Sequence, residues 1–267
     1  MTRSLIALLI SLLLVAACRG PGGGSAAAGG PDLAAHLPTD PGANLVVISF
    51  DALRPEYLGV YGQRQPVSPR LDAFAEDALV FENAYSAAQS TPTSFAAAFT
   101  GRYPFRIFLK WRLSDVATLA GNLQEAGYRT GGFFNNRQLD PERNFGQGFE
   151  TFHVDYDPNE TAFLAEPLTW LDEVAGERFF MWIHFISPHA PYWAREMSEQ
   201  FYTPGYTGRF AGGSGPIDEL DTIDDPAELA RFKELYTGEV HYADHLFGVV
   251  WDALVARGLV DDSVVMV

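Results

Sequence analysis

Leu45 to Phe50, within NLVVISFDALR, is a run of β-branched and aromatic residues with no alternation of apolar and polar positions. A strand that keeps one face in water alternates, and a run like this one reads as a strand covered on both faces of a parallel sheet. Parallel neighbours need crossover connections of a dozen or more residues, usually helical, so this stretch points to an α/β architecture. Asp51 then stands where the strand leaves the sheet. Ligands of open α/β sheets bind beyond the carboxyl ends of the strands, which makes Asp51 a candidate metal or substrate group. An Asp in this place also suits the cap of a following turn or helix.

The rest of the chain continues the alternation. Ser68-Pro69-Arg70-Leu71-Asp72 is a helix start with Pro at the first helical position, and Leu71, Phe74, Ala75 and Ala78 keep helical spacing behind it. Leu79 to Phe81 predicts a short strand. Thr118 to Ala126 predicts a helix closed by Gly127, Tyr128 to Phe134 a strand, and Thr161 to Val174 a helix leading to a second strongly apolar strand, Phe179 to Phe185. Pro204 to Asp225 is rich in Gly and acids and reads as a surface excursion. Pro226 to Arg257 is a long helical pattern ending at Gly258, and Ser263 to Val267 opens a final strand at the chain's last residues. The expected fold is a mixed, mostly parallel sheet with helices on both faces, incomplete at the C-terminus.

With 267 residues, 47% of them hydrophobic, the chain can bury a sizeable core. Its formal charge of -16 argues against a nucleic-acid partner, because nothing offsets phosphate repulsion. An anionic substrate would need a locally positive site. At the start, Arg3 precedes the apolar run Leu5 to Val15, which is too short for a comfortable membrane span and reads as a signal peptide over residues 1–17. The ending Leu14-Val15-Ala16-Ala17-Cys18 resembles a bacterial lipobox, with Cys18 the lipidated residue. Residues 18–40 are the lipidation site and a Gly/Ala-rich tether, and 41–267 the folded part. The chain is therefore expected to be exported and held at the cell envelope by a lipid anchor, facing the periplasm or the exterior. Cys18 is the single cysteine, so no internal disulfide forms.

Two further stretches hold candidate chemistry. In Gln89 to Pro104, the hydroxyls of Ser90, Thr91, Thr93 and Ser94 precede the small-residue run Ala96 to Ala98. A hydroxyl at a helix N-terminus sees a positive dipole and free N–H groups that favour an alkoxide and an anionic ester. The same residues also suit a plain N-cap. In His184 to Tyr192, HFISPHAPY, two histidines flank the exit of the second apolar strand, where they suit a metal or the oxygens of an anion as well as structural roles.

NLVVISFDALRPEYLGVYG, SPRLDAFAEDALVFENAYS, FTGRYP, TLAGNLQEAGYRTGGF, FGQGFETF, WIHFISPHAPY and YTGEVHYADHLFGVVWDALVARGLVDDSVVMV occur in this order. Together they resemble the sulfatase family of the alkaline-phosphatase-like hydrolases, from Asn44 to Val267. The resemblance implies an alkaline-phosphatase-like fold and cleavage of a sulfate or phosphate ester by a metal-activated nucleophile. Asp51 would be a ligand of a divalent cation, with calcium, magnesium, manganese and zinc not distinguished. The nucleophile lies in the segment leading to Thr100-Gly101-Arg102. Family spacing counted back from Thr100 lands on Thr91, while the Ser-x-Pro-Thr pattern offers Ser90 as the alternative nucleophile. His189 and His184 would steady the ester oxygens or the leaving group, Arg102 is an anion contact, and Arg54 is structural.

Three places depart from the family pattern. Ala52 follows Asp51 where a second acid is usual, Asn135-Asn136 replaces a Lys and a His, and the next family element, a Ser/Thr-Asp-His-Gly piece with further metal ligands, would begin just past Val267. These departures predict weak metal binding and little turnover for the chain as it stands. They keep two other readings open beside a sulfuric ester hydrolase: a phosphoester hydrolase or phosphotransferase with a Thr nucleophile, and an inactive surface binding protein of the same fold.

Overall fold

The computed structural model describes residues 42–156, 159–215 and 222–267. The expected signal peptide, Cys18 and the tether lie outside the described residues. In chain order the strands are β1 (Asn44–Phe50), β2 (Phe108–Leu109), β3 (Arg112–Leu113), β4 (Arg129–Phe134), β5 (Thr151–Val154), β6 (Phe179–Phe185) and β7 (Ser263–Met266). The α-helices are α1 (Pro69–Glu76), α2 (Thr91–Thr100), α3 (Leu119–Glu125), α4 (Glu160–Phe163), α5 (Ala165–Glu173) and α6 (Pro226–Ala256). β2 and β3 form a small antiparallel hairpin, and the other strands make a five-stranded sheet in the order β5-β4-β6-β1-β7. Its pairings are all parallel.

The two faces of the sheet carry separate cores. Val46, Ile48, Phe133, Met181 and Ile183 point into one, against Leu71 of α1, Leu171 of α5 and Phe247 of α6. Phe134, Phe180 and Trp182 point into the other, against Phe95 and Phe99 of α2 and Leu123 of α3. β6 is buried at every position because it is the middle strand. β1 lies one strand from the edge, so Val46 and Ile48 are fully buried while Leu45 and Val47 on the opposite face are only half-buried. Fully burying a side chain of Ile or Phe size contributes about 1.5–3 kcal/mol, so the central pair carries much of the sheet's stability. Gly131 in β4 lets a ring approach closely: a Cβ there would lie 2.8 Å from the Trp170 ring.

The structure corrects two local expectations. Leu79 to Phe81 is not a strand; these side chains are 39–45% exposed, and Phe81 O accepts a hydrogen bond from the Tyr61 hydroxyl at 3.0 Å. Three β-prone residues are too few to hold an extended form without a ladder partner. The helix expected over Thr161 to Val174 is two helices meeting at Leu164. Pro167 has no N–H to give the carbonyl of Phe163, and the break falls there. α6 matches its expected span closely: Asp225 caps it by accepting from Ala227 N at 2.7 Å, and Gly258 beyond its end takes φ 65°.

Candidate active site

The parallel sheet brings the ends of β1, β4 and β6 together on one side. Asp51 N donates to Phe185 O at 2.9 Å, which ties the exit of β1 to the exit of β6. Ala52 then takes φ 60°, and the turn is strapped from α6: the Tyr236 hydroxyl donates to Ala52 O at 2.8 Å and accepts from Arg54 N at 2.9 Å. The Asp51 carboxyl is thereby aimed into a cleft of about 770 Å³, lined also by Ser94, Phe95, Thr91, Trp182 and His184.

Asp51 Oδ2 collects the site. Thr91 Oγ1 donates to it at 2.9 Å and Asn136 Nδ2 at 2.6 Å, and His184 Nε2 lies 3.6 Å away. Burial alone would raise the Asp51 carboxyl. The His184 ring, the charge of His189 and the Thr91 hydroxyl outweigh it and hold the carboxyl below the usual carboxylate range.

Thr91 is the first residue of α2. Ser90, its N-cap, makes no side-chain cap to the helix; its hydroxyl pairs with Thr93 Oγ1 at 2.6 Å. Pro92 contributes no N–H, and the first turn keeps its positive end toward the cleft. Of the two hydroxyls left open by the sequence, Thr91 meets Asp51 and Ser90 turns away to Thr93.

A polar chain along β1 and β6 sets the tautomer of His184, which is 1% exposed. Trp182 Nε1, a donor only, donates to Ser49 Oγ at 3.0 Å, and Ser49 Oγ lies 3.0 Å from His184 Nδ1. The one Ser49 proton is better placed for Nδ1 than for Ile183 O at 3.5 Å. Nδ1 then accepts and Nε2 carries hydrogen. That Nε2 is a buried polar atom without a hydrogen-bond partner, 3.6 Å from Asp51 Oδ2.

His189 sits exposed on the turn after β6, its Nδ1 donating to Ala190 O at 2.6 Å. The turn rests on a buried acidic group. Ser187 N donates to Glu160 Oε1 at 3.2 Å, and the Ser187 hydroxyl bonds Glu160 Oε2 closely. Glu239 accepts from Arg195 Nε at 2.9 Å and from Trp193 N at 2.8 Å. Burial pushes the Glu160 carboxyl up to about 7, against the pull of the Ser187 bonds.

Arg102 is not brought to the cleft. It is exposed past the C-terminus of α2, roughly 15 Å along the helix from Thr91. Arg54 pairs with exposed Glu56 at the surface. Asn136, Ser49 and the Glu160–Glu239 group were not legible as site residues. Asn136 stood out only as a departure from a pattern, Ser49 sits in an apolar strand that reads as core, and Glu160 and Glu239 lie in separate helical stretches with no local sign that they meet.

A divalent cation needs several hard oxygen ligands. Asp51 offers one carboxylate, and His184 Nε2, carrying hydrogen, is a donor rather than a ligand. No group of three His, Cys, Asp or Glu suited to a metal occurs among the described residues. The residues present therefore do not close a coordination shell.

A family model described as Sulfatase matches residues 43–267. An arylsulfatase of Clostridium perfringens is 33% identical over 108 residues, covering 38% of this chain and 22% of the relative. A Delta 4,5-hexuronate-2-O-sulfatase of Bacteroides thetaiotaomicron is 25% identical over 201 residues, covering 66% and 39%. The chain thus spans well under half the length of these curated relatives. Among solved structures, a phosphonate monoester hydrolase of Agrobacterium radiobacter shares the fold with a TM-score of 0.67 at 18% identity, over 84% of this chain and 61% of that one.

Proposed function

The chain belongs to the sulfatase family, and on that premise we propose that it cleaves sulfuric esters with Thr91 as nucleophile. The observation that carries the reading is the Thr91 Oγ1 to Asp51 Oδ2 hydrogen bond at the open N-terminus of α2. Asp51 orients the hydroxyl so that an oxygen lone pair faces the cleft, and takes up its hydrogen-bonded proton as attack proceeds. The Thr91 oxygen bonds to the ester sulfur while the bond from sulfur to the leaving oxygen breaks. The positive end of α2 and the Nε2–H of His184 stabilise charge on the nonbridging oxygens. His189 protonates the departing oxygen. Water then attacks the sulfur as its bond to the Thr91 oxygen breaks; His189 takes up the proton of the water, Asp51 returns its proton to Thr91, and sulfate leaves. The family resemblance implies a divalent cation that would lower the pKa of the nucleophile, but it needs ligands beyond Asp51, and no step here runs through it.

A second reading follows from the residue type. A threonine hydroxyl as nucleophile also suits a phosphoester hydrolase or phosphotransferase. Paired assays with an aryl sulfate and an aryl phosphate separate the two. Thr91→Ala is expected to abolish whichever turnover is found, and full turnover in that variant overturns the nucleophile. Absence of turnover on both esters favours the surface binding protein.

A further inference from the structure

The stretch from Asn83 to Ser114 contains no Asp or Glu, in a chain whose formal charge is -16. Within it Arg102, Arg106, Lys110 and Arg112 fall close together on and before the β2–β3 hairpin. The same segment carries large apolar side chains in water: Tyr103 is 71% exposed, Phe105 67%, Leu109 56% and Trp111 68%. Exposed aromatics this dense mark an interaction surface.

The hairpin is firmly held from below. Ile107 and Leu113 are buried in the core under α2, Phe108 pairs with Leu113, and Ser114 N donates to Ile107 O at 2.7 Å. Its tip is strained. Lys110 and Trp111 take φ 53° and 61°, the left-handed pair of a tight hairpin turn, where Asn-Gly is the favoured filling. Two bulky residues there cost conformational energy that burial does not return. The Trp111 ring meets the edge of Phe108 at 6.3 Å and the Arg143 guanidinium at 6.0 Å, yet it stays 68% exposed, so contacts within the protein cover only a small part of it.

We propose that this hairpin is a membrane-docking surface, with Leu109, Trp111, Phe105 and Tyr103 entering the headgroup region and the four cations meeting anionic lipid. Tyr and Trp favour the interface between water and bilayer, and flanking Arg and Lys add attraction to an anionic leaflet. A sulfated polysaccharide would also meet the cations. Its hydroxyls, however, are read by amide and carboxylate side chains, and Arg102 to Leu113 contains no Asn, Gln, Asp, Glu, Ser or Thr. Asp115 stands 3.8 Å from Arg112 Nη1 at the base of the hairpin. The negative remainder of the chain turns this face, rather than another, toward an anionic membrane. The cleft lies at the other end of α2 and stays open to solvent.

The test reads the position of Trp111 itself, so it is indifferent to any other attachment of the chain. The protein is mixed with vesicles containing about 30 mol% phosphatidylglycerol and bromine-labelled acyl chains, and tryptophan quenching is recorded. Trp111→Phe is expected to remove about half or more of the quenching, since Trp170 and Trp182 are buried and the exposed Trp193 and half-buried Trp251 lie outside the hairpin. Lys110→Glu with Arg112→Glu is expected to lower it about fivefold or more, as is replacement by phosphatidylcholine vesicles. These side chains are exposed, so unchanged thermal unfolding accompanies both variants. Quenching that persists in Trp111→Phe, or that is equal on neutral vesicles, overturns the proposal. So does loss of vesicle quenching on adding soluble dextran sulfate that protects the hairpin from trypsin more strongly than vesicles do, which would assign the surface to a sulfated polymer.

Discussion

The Thr91 hydroxyl donates to Asp51 Oδ2 at 2.9 Å across 40 residues of chain, joining the first residue of α2 to the end of β1. This contact ranks the hydroxyls of the α2 start. Thr91→Ser is expected to keep turnover within about tenfold of the unsubstituted protein, because the hydroxyl remains and only a methyl is lost. Ser90→Ala is expected to change kcat by less than about threefold, since its hydroxyl serves Thr93. Steady-state kinetics on an aryl ester checks both, and loss of activity in Ser90→Ala alone would move the nucleophile to Ser90.

Asn136 holds the same carboxylate oxygen at 2.6 Å. Asn136→Ala removes a charge-assisted hydrogen bond from a half-buried carboxylate. The expected cost is about 1.5–3 kcal/mol in stability, seen as a lower urea midpoint. A fall in kcat of roughly 10- to 100-fold with little change in KM is expected, because the carboxylate that orients Thr91 loses one of its fixed partners. Asn136→Asp is expected to be worse than Ala, since it sets a second negative charge against Asp51.

Two carboxyls give stability opposite pH dependences. The folded pKa of Asp51 is lowered, so its contribution is present above its unfolded pKa near 3.8 and is lost as pH falls through the folded value. Glu160 is raised from 4.5 to about 7, so the native state binds the extra proton and stability falls as pH rises from 4.5 through 7. Glu160→Gln is expected to remove on the order of 1–3 kcal/mol of that decline, measured as thermal melts between those pH values. Asp51→Asn is expected to flatten only the acid limb below about pH 4.

At the other end of the chain, export and lipidation remain a proposal read from Met1 to Cys18. Radiolabelled palmitate is expected to mark the unsubstituted protein in a bacterial host and not Cys18→Ala. Equal labelling of both would remove the anchor.

Periodicity carried most of the fold. β6, α6 and the strand end at Asp51 were readable because a fully apolar run and a long helical pattern each leave one consistent arrangement of buried faces. Leu79 to Phe81 misled because β-propensity in three residues has no meaning without a partner strand. The broken helix at Leu164 was visible in Pro167, yet helical spacing across the break hides it.

What the sequence determined by itself is the alternation of buried strands and helices, and with it the side of the sheet on which an acid at the end of β1 must lie. The family resemblance added two adjacent hydroxyls, Ser90 and Thr91, as candidate nucleophiles. Which of the two meets Asp51 was left to the tertiary structure, because Ser90 is the extended N-cap, Thr91 the first helical residue, and only the docking of α2 brings one of them to the end of β1. The same holds for Asn136, for the Ser49 to His184 relay and for Glu160 beneath the His189 turn. Each acts through a contact between segments distant in sequence, and no local pattern records which polar side chains a parallel sheet will bring to one edge.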